Sequence, residues 1–171
     1  MSTVAIAVVL GFVMLCVLSD VRTRRIPNTL SLAGVFVGLV FNLEHAGAAG
    51  LAASALGLGL AVALLIAPFA AGGIGGGDVK MMGALGAMLG PHLVVSGLLI
   101  GALLGGVHAA VYAARRGLLR QTLSGVTHRL RTALGRGSLE PLRMSAGEGS
   151  GLVLPYSLPL GAGAIVALIV G

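Results

Sequence analysis

The sequence is poor in charged residues. Of its 171 residues, 9% are Asp, Glu, Lys or Arg and 57% are hydrophobic, whereas a soluble domain carries roughly 25% charge. These proportions exclude a water-soluble globule, a disordered chain and a coiled coil. They predict one membrane-embedded domain over residues 1–171, with several spanning helices.

Several chemical motifs are also missing. The single cysteine, Cys16, lies in an apolar run, so the sequence predicts neither a disulfide framework nor a cysteine-based zinc site. No H-E-x-x-H motif is present for a zinc protease, and no G-x-S-G motif for a serine protease. The glycine-rich stretch at 72–77 lacks the G-K-[ST] of a phosphate loop. The sequence therefore offers no support for a disulfide-stapled fold, a zinc site, a serine protease or a phosphate loop.

Six apolar runs divide the chain, and together they predict an all-α bundle of about six transmembrane helices. Pro27 breaks the chain between the first two runs, and Asn28 or Thr29 is expected to cap the second helix. The fourth run is short, because 12 residues of helix rise only ~18 Å. The runs cover residues 4–19, 30–43, 50–71, 79–90, 93–114 and 152–170.

The positive charges predict the orientation. With the N-terminus outside and six crossings, the inside segments are 20–28, 72–80 and 115–150, and they hold all 11 Lys and Arg residues. Cytoplasmic segments of membrane proteins carry such an excess of Lys and Arg. The sequence therefore predicts a multi-pass protein with its N-terminus outside.

The long inside segment at 115–150 is basic. Leucines at helical spacing between 119 and 134 predict an amphipathic helix on an anionic inner leaflet. The alternative is a solvated loop whose charge only sets the topology. Aromatic residues are not interleaved with the basic ones, and no nucleic-acid motif is present, so a nucleic-acid partner is not expected.

Glycine recurs every four residues in three of the apolar runs. Such small-xxx-small faces let helix backbones approach closely, although glycine is also simply frequent here, at 29 residues. The predicted contact glycines are Gly34, Gly38, Gly86, Gly90, Gly97, Gly101 and Gly105.

Two carboxylates come from different runs at one side of the membrane. Asp20 closes the first run and Asp78 opens the fourth. If the bundle brings them together they can share one proton, and an ionised and a protonated carboxyl are the pair that hydrolyses peptide bonds. Two structural alternatives remain open: Asp20 is neutralised by Arg22 or Arg24, or Asp78 is a helix N-cap.

The residues around Asp78 suit a substrate site. Gly75 and Gly77 let the backbone bend and leave room beside the carboxylate. Lys80 lies ~200° around the helix from Asp78, so we expect it to reach the interface and not to pair with Asp78.

Three segments resemble type IV prepilin peptidases. G-G-G-D-V-K at 75–80 resembles their GxGD motif, D-V-R-T-R-R-I-P-N at 20–28 resembles the segment with their first aspartate, and L-P-Y-S-L-P-L-G at 154–161 resembles their last-helix motif. The resemblance implies that Asp20 and Asp78 are catalytic. The supporting residues would be Arg25, Pro27, Asn28, Gly75, Gly77 and Lys80.

The resemblance also implies a function. The members of the prepilin peptidase family are aspartic endopeptidases of the bacterial or archaeal inner membrane. They remove the leader of a prepilin or pseudopilin at the cytoplasmic face, without metal or organic cofactor. The sequence starts at the first run, without the N-terminal domain with paired C-x-x-C motifs of longer members. It is therefore similar to the short, peptidase-only branch of tight-adherence (Flp) pili.

Two other functions remain possible on the same residues. A presenilin-like aspartic protease would use both aspartates to cut within the bilayer, and a small transporter would use them as a proton relay. Both acids lie at the ends of spans, which favours cutting at the interface over either alternative.

Overall fold

The computed structural model describes residues 3–115, 117 and 156–170, and within these residues it is all-helical, without a strand. The predicted all-α class is confirmed over this part of the chain. The helices α1 to α3 are long and apolar enough to cross a membrane. The elements are α1 (Thr3–Thr23), α2 (Asn28–Ala70), α3 (Gly76–Arg115) and α4 (Ser157–Val170).

Helix α2 is a hairpin of two helical segments. Its backbone leaves helical geometry at Ala46 and at Gly47, where φ is 58°. The Ser54 hydroxyl donates a hydrogen bond to the carbonyl oxygen of Gly38 at 3.3 Å, 16 positions earlier. A straight helix would separate these residues by ~24 Å, so the chain reverses at the turn predicted at 44–47.

Helix α3 also reverses, at Gly90, where φ is 78°. Its first segment starts beside Asp78, whose charge interacts with that of Asp20. Its second segment passes Gly105, where a Cβ would lie 3.5 Å from the ring of Tyr156, and the residue after Tyr156 bonds Asp20. Asp78 and Gly105 therefore lie near one end of the bundle, although a straight helix would place them ~40 Å apart.

Glycine allows the closest helix contacts. A Cβ on Gly57 would overlap the carbonyl oxygen of Gly86, and a Cβ on Gly101 would lie 3.0 Å from the Cα of Leu160. Gly90 has two roles: its backbone carbon lies 2.8 Å from the Cβ position of Gly57, and its positive φ makes the turn, whereas a Cβ on Gly90 itself would meet nothing within 4 Å. Backbone or side-chain atoms also crowd Gly34, Gly38, Gly97 and Gly163.

The short fourth run forms the centre of the bundle. Residues 81–90 are all buried, and Met81, Met82 and Leu85 are among the largest fully buried side chains. A segment enclosed by other helices does not need the length of one that faces lipid on its own. Asp78, directly before this segment, is consequently held in the interior at 7% exposure.

Two predictions concern features that the described helices do not decide. The six crossings and the outside N-terminus stay predictions, because helical segments alone give no orientation in a membrane. The predicted basic loop at 115–150 lies outside the described residues, except for Arg115 and Gly117.

Candidate active site

The end of α1 is folded back by local hydrogen bonds. Arg24 adopts φ of 51°, and its N–H bonds the Asp20 carbonyl oxygen at 2.7 Å, which is an αL helix cap. The hydroxyl groups of Ser19 and Thr23 both donate to the carbonyl oxygen of Arg25 at 3.0 Å. The chain thus turns sharply one helical turn after Asp20, and Arg25 serves this turn through its backbone while its side chain is exposed.

The segment after this turn is joined to the start of α3. A Cβ on Gly77 would lie 3.3 Å from Cγ1 of Ile26, and the Lys80 ammonium donates to Oδ1 of Asn28 at 2.7 Å. The expected cap at Asn28 is wrong, because α2 has extended Pro27 at its N-cap and no side-chain cap bond. The Asn28 side chain is used instead to hold the two segments together.

Asp78 lies in the first turn of α3 and not at its N-cap. Gly75 has the N-cap position, since its carbonyl oxygen accepts the N–H of Val79 at 3.4 Å. The Gly75 N–H bonds the Asp78 carboxylate in return, as the acidic residue of a capping box does. The alternative that Asp78 is the N-cap is therefore wrong, although its side chain does complete the start of the helix.

The structure brings the two aspartates together from α1 and α3. Their charges are close enough to interact, with Asp20 half-buried and Asp78 buried. The described partner of the Asp20 carboxylate is the hydroxyl of Ser157, and not Arg22 or Arg24. Two carboxyls whose charges interact inside a bundle disfavour ionisation of both at once.

Ser157 is the site residue to which the sequence analysis gave no role. Its Oγ lies 2.5 Å from Oδ2 of Asp20, and the residue has no exposed surface. It is placed there because α4 approaches α1 closely, with a Cβ on Gly161 only 2.7 Å from Cγ1 of Val13. The available signal was a hydroxyl within the L-P-Y-S-L-P-L-G segment at 154–161, on the side of the membrane predicted for Asp20.

Of the other groups with chemistry, the Cys16 thiol is close enough to Asp20 for their charges to interact. Among the residues that the structure describes, no three His, Cys, Asp or Glu side chains come close enough to hold a metal ion. Cys16 is buried one turn before Asp20. His45 stacks on Phe41 with ring centroids 4.1 Å apart, near the α2 turn.

The fold and the site define a class: a helical protein with membrane-spanning apolar helices and a carboxyl pair contributed by two of them. A sequence profile of the type IV leader peptidase family matches residues 7–110, and the chain belongs to that family. The predicted family is confirmed, and membership makes the chain a peptidase. The matched region includes Asp20 and Asp78, whereas α4 lies beyond it. No curated protein and no solved structure matches the chain.

Proposed function

We propose that this chain is a membrane aspartic endopeptidase that removes the leader peptide of a prepilin or pseudopilin at the cytoplasmic face of the membrane. The observation that carries the proposal is the meeting of Asp20 and Asp78 from separate helices in a member of a leader peptidase family. The GxGD glycines and the tie between Asn28 and Lys80 support it, because they fix the start of α3 against the end of α1.

The proposed chemistry needs one proton on the pair. The ionised carboxylate takes a proton from a water molecule, whose oxygen attacks the carbonyl carbon of the peptide. The protonated carboxyl gives its proton to the carbonyl oxygen, which yields a tetrahedral intermediate. As that intermediate collapses, the former base gives its proton to the leaving nitrogen and the C–N bond breaks. One hydroxyl of the intermediate returns its proton to the former acid, so the pair regains its starting state.

The proposed cut lies at the membrane surface. In the six-crossing topology both aspartates are at the inside ends of their spans, next to the segments that hold all the Lys and Arg residues. A substrate with a polar leader and an apolar helix would present the peptide between them at this depth. We place the protein in the inner membrane of a bacterium or archaeon, with its basic segments on anionic lipid headgroups.

The test uses the purified chain in lipid vesicles with a prepilin that has a basic leader, a glycine and then its apolar segment. We expect one cut directly after that glycine, measured from the mass of the released leader. A matched substrate with leucine in place of the glycine should be cut slowly, since glycine eases local unwinding of the peptide. A cut inside the apolar segment would indicate a presenilin-like protease, and proton flux without cleavage would indicate a transporter.

Lys80→Ala should reduce cleavage only a few-fold. The Lys80 ammonium bonds Asn28 and not Asp78, so its removal loosens the tie between two segments without altering the charge on the pair. Asn28→Ala should have the same effect, and the double variant should be no worse than either single one, because both remove one bond. Initial rates of leader release test this, and a loss as large as that of an aspartate variant would contradict it.

A further inference from the structure

We propose that Ser157 orients Asp20 and keeps it ionised, which makes Asp20 the base of the pair and Asp78 the acid. The inference rests on the proposed function and deepens it, because it assigns different roles to two otherwise equivalent carboxyls. It concerns a positioning residue, since Ser157 acts through Asp20.

Ser157 and Asp20 are joined by a short hydrogen bond. The Ser157 Oγ lies 2.5 Å from Oδ2 of Asp20. A hydrogen bond donated to a carboxylate stabilises its charged form relative to its protonated form. Bonds to charged acceptors are also stronger than those to neutral ones. The contact therefore favours a negative charge on Asp20.

The two aspartates differ in how far they are buried. Asp78 is 7% exposed, whereas Asp20 is half-buried. A charge costs more where less water reaches it, and the described bond to the Asp78 carboxylate is a single N–H from Gly75. When the pair holds one proton, the cheaper arrangement puts that proton on Asp78. Water reaches Asp20 more easily, which suits the group that activates it.

The Ser157 hydroxyl has little freedom to point away from Asp20. Ser157 has no exposed surface. It lies one turn before Gly161, on the face of α4 that contacts Val13 of α1. A neighbouring face of α4 is held by α3, where Gly101 meets Leu160. Two helix contacts thus fix the hydroxyl and, through it, the plane of the Asp20 carboxylate.

A matched serine distinguishes this contact from ordinary packing. Ser54 is also without exposed surface, but its hydroxyl donates to a backbone carbonyl, that of Gly38, at 3.3 Å. Ser54→Ala removes the same atoms from an equally buried position without touching either aspartate. It is the control for Ser157→Ala.

The direct test is a carboxyl titration, which needs no substrate. The chain contains two aspartates, so aspartate labelled with ¹³C at the side-chain carboxyl gives two signals in detergent micelles, and Asp20→Asn assigns them. On lowering the pH we expect the Asp78 signal to move first. In Ser157→Ala the Asp20 signal should move about one pH unit earlier than in the wild type, and in Ser54→Ala it should not shift. The proposal is overturned if Asp20 is protonated before Asp78 in the wild type. It is also overturned if the Asp20 signal moves at the same pH in Ser157→Ala and in Ser54→Ala.

The second readout is the pH profile of leader cleavage. Activity requires ionised Asp20, so Ser157→Ala should move the acid limb of kcat/KM to higher pH by about one unit and lower kcat about tenfold, with KM nearly unchanged. Ser54→Ala should keep the wild-type profile. If the wild type cleaves and the two serine variants have the same profile, the role of Ser157 is wrong while the proposed function stands. If the wild type cleaves nothing but the titration order is as expected, the proposed function is wrong while the orientation of Asp20 stands.

Discussion

Asp20→Asn and Asp78→Asn should each abolish leader cleavage, with rates at least ~10³-fold below the wild type. Asparagine has the shape of aspartate but neither accepts a proton from water nor donates one to a carbonyl oxygen. Each step of the proposed reaction uses both carboxyls, so loss of either should be as severe as loss of both. Initial rates in lipid vesicles, read from the mass of the released leader, measure the effect.

The same variants should remain folded. An amide oxygen at position 20 still accepts the Ser157 hydroxyl, and one at position 78 still accepts the Gly75 N–H. Replacing one of two interacting carboxyls also removes a repulsion. We therefore expect thermal unfolding in detergent at or above the wild-type temperature. Glu44→Gln, an equally conservative change of an exposed acid, is the matched control and should cleave normally. Wild-type cleavage by either aspartate variant would contradict an aspartic mechanism.

Gly57→Ala should destabilise the bundle, whereas Gly59→Ala should not. A Cβ on Gly57 would overlap the backbone carbonyl oxygen of Gly86 in α3, and a backbone atom has no other rotamer to adopt. The helices must separate, at a cost of ~1–3 kcal/mol or more. A Cβ on Gly59 would meet nothing within 4 Å, so alanine there adds only its better helix propensity, up to ~1 kcal/mol.

Thermal unfolding in detergent compares the two alanine variants directly, and the expected shifts have opposite signs. Gly57→Ala should also slow cleavage, because the displaced segment of α3 has Asp78 in its first turn. Equal shifts would mean that the close contact between Gly57 and Gly86 contributes little to the stability of the bundle.

Hydropathy was sufficient to predict the helical segments, because a segment that crosses lipid must be apolar and the turns between such segments are polar or rich in glycine and proline. The reversal in α2 was predicted at 44–47 and occurs at Ala46 and Gly47. Glycine was harder to interpret, since the same residue permits close packing and positive φ. Gly86 and Gly90 fit one packing pattern in the sequence, and both meet Gly57, but Gly90 also has the positive φ that makes the turn.

The site was predictable only to the level of its two aspartates. Their common side of the membrane followed from the topology, and their interaction across α1 and α3 agrees with it. The Asn28 cap failed because Pro27 has the N-cap position and Asn28 is the first residue of α2; the Asn28 side chain bonds Lys80. Ser157 was missed because its partner lies 137 residues earlier, and its place in the segment at 154–161 does not indicate which group it bonds.

That separation has a consequence for how the protein is made. Ribosomes deliver α1 to the membrane long before they translate α4. The Asp20 carboxylate therefore lacks its hydrogen bond from Ser157 while most of the chain is synthesised. A nascent chain that ends before position 157 has both aspartates but lacks the hydroxyl that is proposed to assign them different roles. Supplying the last helix as a separate polypeptide would reveal whether that late arrival switches the enzyme on.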